Sequence, residues 1–133
     1  MTGEHTCLLL VDDYLDALDM WALYLRFCGY EVLTASDGLQ AVDMAEHYLP
    51  DLVFLDLDLP GITGFEAARR LRDLPATAHI PLVAATGYSY ARQLDEARGS
   101  GFESVLIKPF EPAVLVKEVE RILSENPEHH RPS

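Results

Sequence analysis

Five short apolar runs, separated by longer amphipathic stretches, limit what this chain can become. The runs are Cys7–Val11, Tyr30–Thr34, Leu52–Leu55, Ile80–Ala85 and Val105–Ile107. Each has the length of one strand, and most are apolar throughout instead of alternating. Such strands must be covered on both faces, as in a parallel sheet held between helices. The intervening stretches carry helical spacing. Leu15, Leu18, Ala22 and Leu25 form one stripe. Leu39, Val42 and Ala45 form a second behind Asp37, which is placed to cap it. Phe65, Ala68 and Leu71 line the segment from Gly64 to Asp73, and Leu94 and Ala97 line a fourth helix over Tyr90–Arg98. Leu115, Val119, Ile122 and Leu123 follow Pro112, a residue suited to a first helical turn. A strand–helix unit repeated five times predicts an α/β fold with a parallel sheet. Gly29, Gly38, Gly61, Gly64, Gly87 and Gly101 fall between or beside these elements, as breakers should. One domain spans residues 6–124, and residues 125–133 form a polar, flexible tail.

In open α/β sheets, ligands bind beyond the carboxyl ends of the strands. Asp12 and Asp13 follow the first run, Asp56 ends the third, Thr86 follows the fourth, and Lys108 follows the fifth. Three carboxylates, a hydroxyl and an ammonium therefore converge on one sheet edge. Packed carboxylates repel one another, and their pKa values rise unless a cation intervenes. Oxygen ligands of this kind suit Mg²⁺, which takes one or two carboxylates together with phosphate oxygens. Lys108 adds a point charge and Thr86 a hydroxyl donor, the groups that neutralise phosphoryl oxygens during transfer. Asp56 fits the role of a carboxylate nucleophile. Taken singly, an Asp pair after a strand is an ordinary helix cap and Lys-Pro means little. Five such residues at the same end of four different strands is the specific signal.

Charge and composition exclude other classes. Ten Lys and Arg stand against 22 Asp and Glu, a formal charge of −12. Such a balance argues against a nucleic-acid surface, which needs clustered positive charge, and disfavours an anionic membrane surface. No apolar stretch approaches the roughly 20 residues of a membrane helix, and no signal peptide is visible, so the expected location is cytoplasmic. The two cysteines, Cys7 and Cys28, are expected to be buried and reduced. The five histidines read as surface residues.

The anchors Leu8-Leu9-Leu10-Val11-Asp12-Asp13, Asp51-Leu-Val-Phe-Leu-Asp56-Leu-Asp-Leu-Pro60-Gly61, Pro81-Leu-Val-Ala-Ala-Thr86-Gly87 and Val105-Leu-Ile-Lys108-Pro109-Phe110 together resemble the receiver (CheY-like) domain of bacterial two-component response regulators. The resemblance covers about residues 6–124, with matching spacings of 30 residues from Asp56 to Thr86 and 52 from Asp56 to Lys108. It implies a flavodoxin-like (βα)5 three-layer sandwich with strand order 2-1-3-4-5. It implies that Asp56 is the phospho-acceptor, that Asp13 ligates Mg²⁺ directly and Asp12 largely through water, and that the backbone carbonyl of Asp58 joins the metal shell. Thr86 and Lys108 would bind the phosphoryl group, and a cis peptide often precedes the position of Pro109. The phosphoryl donor would be a histidine kinase or a histidine phosphotransfer protein. The domain would be a switch and not an enzyme in the ordinary sense, catalysing only its own phosphotransfer and dephosphorylation.

One departure stands out. The family usually carries an aromatic residue three positions before the lysine, and here that position is Val105. Tyr88 is a candidate gate over Asp56. The fourth helix, fifth strand and fifth helix, with Tyr90, Arg92, Arg98, Val105, Lys117 and Arg121, form the expected surface for an output partner or a homodimer. The start at Met1 and the short tail favour a stand-alone protein over a piece of a longer regulator or hybrid kinase. The alternative is a pseudo-receiver, a protein-binding module that is never phosphorylated. A flavodoxin-like cofactor enzyme would need a glycine loop where Asp12-Asp13-Tyr14 stands. An aspartyl-nucleophile phosphatase would place its Asp-x-Asp pair after the first strand instead of at Asp56 and Asp58.

Overall fold

The structure is a computed structural model and describes residues 6–87 and 101–125. Five parallel strands form one sheet: β1 (Cys7–Val11), β2 (Glu31–Ala35), β3 (Leu52–Asp56), β4 (Leu82–Thr86) and β5 (Ser104–Ile107). Their spatial order is β2-β1-β3-β4-β5, the flavodoxin-like order expected from sequence. Helices α1 (Leu15–Phe27), α2 (Gly38–Tyr48), α3 (Gly64–Asp73) and a C-terminal helix (Pro112–Glu125) flank it. The C-terminal helix runs one residue beyond the expected domain end, within the ordinary uncertainty of a helix terminus. The predicted helix at Tyr90–Arg98 and the gate candidate Tyr88 lie outside the described residues.

The strands are apolar throughout because each side of the sheet has its own core. Leu9, Val11, Val53, Leu55, Leu82 and Ala84 face α2 and α3. The alternate positions Leu8, Leu10, Leu52, Phe54, Val83 and Ala85 face α1 and the C-terminal helix. Period-two alternation thus divides the residues between two apolar layers instead of between core and water. The edge strand β5 is only partly buried along its length.

Two helix faces differ from their sequence assignment. On α1 the inward residues are Leu18, Trp21, Ala22 and Leu25, while Leu15 is 56% exposed. Leu15 sits in the first turn, before the helix has settled onto the sheet. The opposite side of α1 carries Met20, Leu23, Tyr24 and Phe27, all exposed, an apolar stripe that misdirects a search for the core. On α2 the buried line is Gly38, Ala41 and Ala45, and Leu39 is exposed. Small residues let α2 approach the sheet closely, so the larger Leu39 is turned outward. Asp37 does cap α2, accepting from the Gln40 N–H at 2.8 Å. Cys28 is exposed and Cys7 buried, correcting the expectation of two buried thiols. Cys28 is the C-cap of α1, beyond the last inward residue, Leu25.

Gly64 connects the fold to the site edge. Its N–H donates to the Leu57 carbonyl at 3.1 Å. A Cβ at this position would lie 2.4 Å from the Asp56 carbonyl oxygen and 2.7 Å from the Leu57 Cα. Only glycine lets α3 start this close to the end of β3. At Gly38 an added Cβ meets chiefly the Ile62 side chain, at 2.5 Å, which can move. Gly64→Ala is expected to cost about 2–4 kcal/mol by forcing backbone apart, with Gly38→Ala costing less. Urea unfolding of both variants checks this, and equal costs would contradict it.

Candidate functional site

The parallel register brings the site residues together. Val11 pairs with Leu55 between β1 and β3, and Asp56 pairs with Ala85 between β3 and β4. Thr86 pairs with Ile107 between β4 and β5. Asp12, Asp56, Thr86 and Lys108 thus leave or end their strands at the same edge. Ligand oxygens of Asp12, Asp13 and Asp56 lie within 4.8 Å of one another. Asp12 and Asp56 are buried and Asp13 is exposed. Two carboxylates set into the sheet edge and a third on its rim could hold a divalent cation while leaving coordination positions open to solvent or phosphate oxygens.

Each buried carboxylate has one oxygen fixed by the backbone and one by Lys108. Asp12 Oδ1 accepts from the Tyr14 N–H at 2.9 Å, and Asp56 Oδ1 accepts from the Asp58 N–H at 3.0 Å. The Lys108 Nζ donates to Asp12 Oδ2 at 2.8 Å and to Asp56 Oδ2 at 3.0 Å. Asp12 therefore shapes the turn that leads into α1 without capping the helix, and belongs to the charge cluster as well. The N-cap residue itself, Tyr14, has no side-chain cap.

Burial pushes the Asp56 carboxyl above the ordinary carboxylate range. The Asp58 N–H pulls the other way, the Asp12 charge adds to the rise, and the Lys108 ammonium offsets only part of it. For Lys108, burial works against the charge, but its bonds to Asp12 and Asp56 outweigh it and the pKa is raised. Lys108 is thus held as a cation between two acids.

Thr86 is buried, and its Oγ1 lies 3.4 Å from the Gly87 carbonyl, a long contact that leaves the hydroxyl weakly held. The Thr86 carbonyl accepts from the Lys108 N–H at 2.7 Å, tying the two site strands together. The Lys108–Pro109 peptide is cis. The Asp58 side chain is exposed. Val105 is half-buried and packs against the core beneath α2 and α3.

Sequence reasoning missed the aromatic group behind Lys108. The Trp21 and Phe110 rings stack 5.2 Å apart at 12°, and Phe54 meets each of them edge-on. The Lys108 Nζ lies over the Trp21 ring, 6.0 Å from its centroid. The signal was present: Leu18, Trp21, Ala22 and Leu25 keep three- and four-residue spacing, and counting from Leu15 passed over Trp21.

Comparison with known proteins agrees with this geometry. The family model of the response regulator receiver domain matches residues 8–120. The response regulator PleD of Caulobacter vibrioides is 37% identical over 112 residues, 84% of this chain and 25% of PleD. The polar-differentiation response regulator DivK of Brucella anthropi is 26% identical over 117 residues, 88% of this chain and 95% of DivK. The chain therefore spans a quarter of one relative and nearly all of another. The chemotaxis response regulator CheY4 of Vibrio cholerae superposes with a TM-score of 0.84 at 31% identity, covering 90% of this chain and 99% of CheY4. The receiver domain of the sensor histidine kinase PA1611 from Pseudomonas aeruginosa gives a TM-score of 0.81 at 30% identity, covering 88% and 96%. That structure has a magnesium ion coordinated in its active-site cleft. With an acidic cluster and a lysine at the carboxyl edge of a 2-1-3-4-5 sheet, and a family match over most of its length, this chain belongs to the response regulator receiver domains of two-component signal transduction.

Proposed function

We propose that the domain, residues 6–124, accepts a phosphoryl group on Asp56 from a histidine kinase or histidine phosphotransfer protein and thereby switches its binding to an output partner. The observation that carries this is Lys108. Arriving from a strand two places away in the sheet, its ammonium bridges Asp12 and Asp56 within a cluster of three carboxylates. A solely structural lysine would need one such partner.

In this mechanism an Asp56 carboxylate oxygen attacks phosphorus, forming a new P–O bond. The P–N bond to the donor imidazole breaks, and its electron pair leaves with the imidazole. Asp12, Asp13 and Asp56, with the Asp58 backbone carbonyl, are the residues that would hold Mg²⁺, which when bound supplies charge neutralisation for the phosphoryl oxygens. The grouping fits such an ion because two of its three carboxylates are buried together with one lysine between them. Lys108 would turn from Asp56 Oδ2 toward a phosphoryl oxygen, and the weakly held Thr86 hydroxyl would donate to another. The added charge biases an existing conformational equilibrium.

The output surface in this proposal is the face of β5, the C-terminal helix and the predicted helix at Tyr90–Arg98, serving a partner or a homodimer. Of its residues, Lys117 and Arg121 are described and exposed, and Arg121 is paired with Glu118 and Glu125. Tyr90, Arg92 and Arg98 lie outside the described residues. Among the described residues no helix is long and apolar enough to cross a membrane, and a cytoplasmic location is part of the proposal.

Incubation with acetyl phosphate and Mg²⁺ should add the mass of one phosphoryl group to the intact protein. The addition should vanish in Asp56→Asn and on removal of Mg²⁺ with EDTA. A wild-type protein that never gains the mass would instead be the non-phosphorylated pseudo-receiver.

The raised Asp56 pKa also has a consequence for stability. A carboxyl whose folded pKa lies above its unfolded value near 3.9 favours folding only while protonated, so its contribution is lost as pH rises through the folded pKa. At pH 7 the metal-free protein therefore carries a penalty at Asp56. Asp56→Asn should raise the metal-free Tm. Mg²⁺ at ten times its Kd should stabilise the wild type by about 1.4 kcal/mol and the variant by less. Thermal scans with and without the ion measure both, and a lower Tm for metal-free Asp56→Asn would contradict the penalty.

A further inference from the structure

Lys108 has two carboxylate partners, and the geometry points to a third that is not an acid. We propose that the π-face of Trp21 is a positioning element for the Lys108 ammonium, deepening the phospho-acceptor reading on which it rests. Four observations converge on it. Nζ lies over the indole ring at 6.0 Å from the centroid, the outer range of a cation–π contact, and tryptophan is the aromatic that makes the strongest one. The ring is 4% exposed and the Lys108 side chain 29% exposed, so water screens the interaction from the lysine side only. Phe110 stacked on it and Phe54 edge-on to it leave the indole little room to rotate. Finally, Trp21 Nε1 is buried and has no hydrogen-bond partner among the described residues.

The last observation separates positioning from simple packing. A buried indole N–H with no acceptor carries a desolvation penalty that leucine or phenylalanine would avoid. If only apolar volume were needed on this face of α1, the orphaned N–H would be a pure liability. The indole offers what those residues lack or offer more weakly, an electron-rich face for a cation. Asp12 and Asp56 draw the ammonium toward the sheet edge, and Trp21 beneath limits its sideways travel. Lys108 would then reach a phosphoryl oxygen from a defined starting point, losing less freedom on the way to the transition state. Trp21 touches neither phosphoryl group nor metal in this scheme. It acts through Lys108.

The chain has a single tryptophan, so biosynthetic incorporation of 5-fluoro-, 5,7-difluoro- and 4,5,6,7-tetrafluorotryptophan alters this position alone. Fluorination drains the ring face with little change of shape. Because Nε1 has no acceptor among the described residues, the more acidic N–H should not alter a hydrogen bond there. Two readouts are taken on the full chain. In the metal-free, unphosphorylated protein, the ε-methylene protons of Lys108 should show an upfield ring-current shift that is lost in Trp21→Leu and kept in part in Trp21→Phe. With acetyl phosphate and Mg²⁺, the phosphorylation rate should fall stepwise along the fluorine series, and by roughly 3- to 30-fold in Trp21→Leu. A rate that is flat across the series, or Lys108 shifts that do not move in Trp21→Leu, would overturn the inference while leaving the phospho-acceptor reading intact. A wild type that cannot be phosphorylated would remove that reading, and the ring-current shift would still decide where the lysine sits.

Discussion

A cluster of like charges at one edge of the sheet is the constraint around which this domain is arranged. Asp12 and Asp56 are nearly inaccessible, and two such carboxylates cannot remain ionised side by side without a compensating charge. Lys108 supplies it. For Lys108 to arrive there, β5 must lie beside β4 with Thr86 opposite Ile107, and β4 beside β3 with Ala85 opposite Asp56. A slip of one residue in either pairing would exchange the faces of a whole strand and carry the ammonium away from the acids. The two apolar layers on either side of the sheet hold that register.

The same arrangement explains where the domain is under tension. Its core is built mainly of leucine, valine and alanine, with Asp12, Asp56 and Lys108 gathered where the strands stop. Asp56 is less favourable in the folded state at neutral pH than a neutral residue of its shape would be, since burial outweighs the help from Lys108 and the Asp58 N–H. Sites that bind a cation or accept a charged group commonly carry such a cost, because the groups needed for binding are poorly suited to the empty fold. The backbone is recruited too. Gly64 allows α3 to begin against the Asp56 carbonyl, so β3 ends against a helix start and cannot drift outward.

Much of this was legible in the sequence, for physical reasons that can be named. The strands were visible because a doubly covered strand is apolar at every position, and all five runs became strands to within two residues at either end. Asp12, Asp13, Asp56, Thr86 and Lys108 were visible because chemistry in an open α/β sheet collects at one edge, and strand ends can be counted. Helix faces were less legible. On α1 both sides are apolar, Leu18-Trp21-Ala22-Leu25 inward and Met20-Leu23-Tyr24-Phe27 outward, so periodicity alone could not choose the phase. On α2 the buried line is made of glycine and alanine, which a search for large apolar residues overlooks. Cys28 was misplaced because a cysteine at a helix end has no periodic neighbour to fix its side.

Val105 and Trp21 show how the two faces of the sheet share the surroundings of the lysine. Val105, three residues before Lys108, belongs to the layer beneath α2 and α3. Trp21, Phe54 and Phe110 belong to the opposite layer, beneath α1 and the C-terminal helix. The aromatic mass near the ammonium therefore lies on the α1 side, where the resemblance to the family had led attention to β5. Phe110 follows Lys108 by two residues and stands just before the C-terminal helix, while Trp21 lies midway along α1. In the proposed switch, a displacement of Lys108 toward a phosphoryl oxygen would loosen its bonds to Asp12 and Asp56 and, behind them, alter its contact with this aromatic stack. A closely packed interior transmits strain between neighbours, so under the proposed function the α1 side would take up part of the response to that displacement.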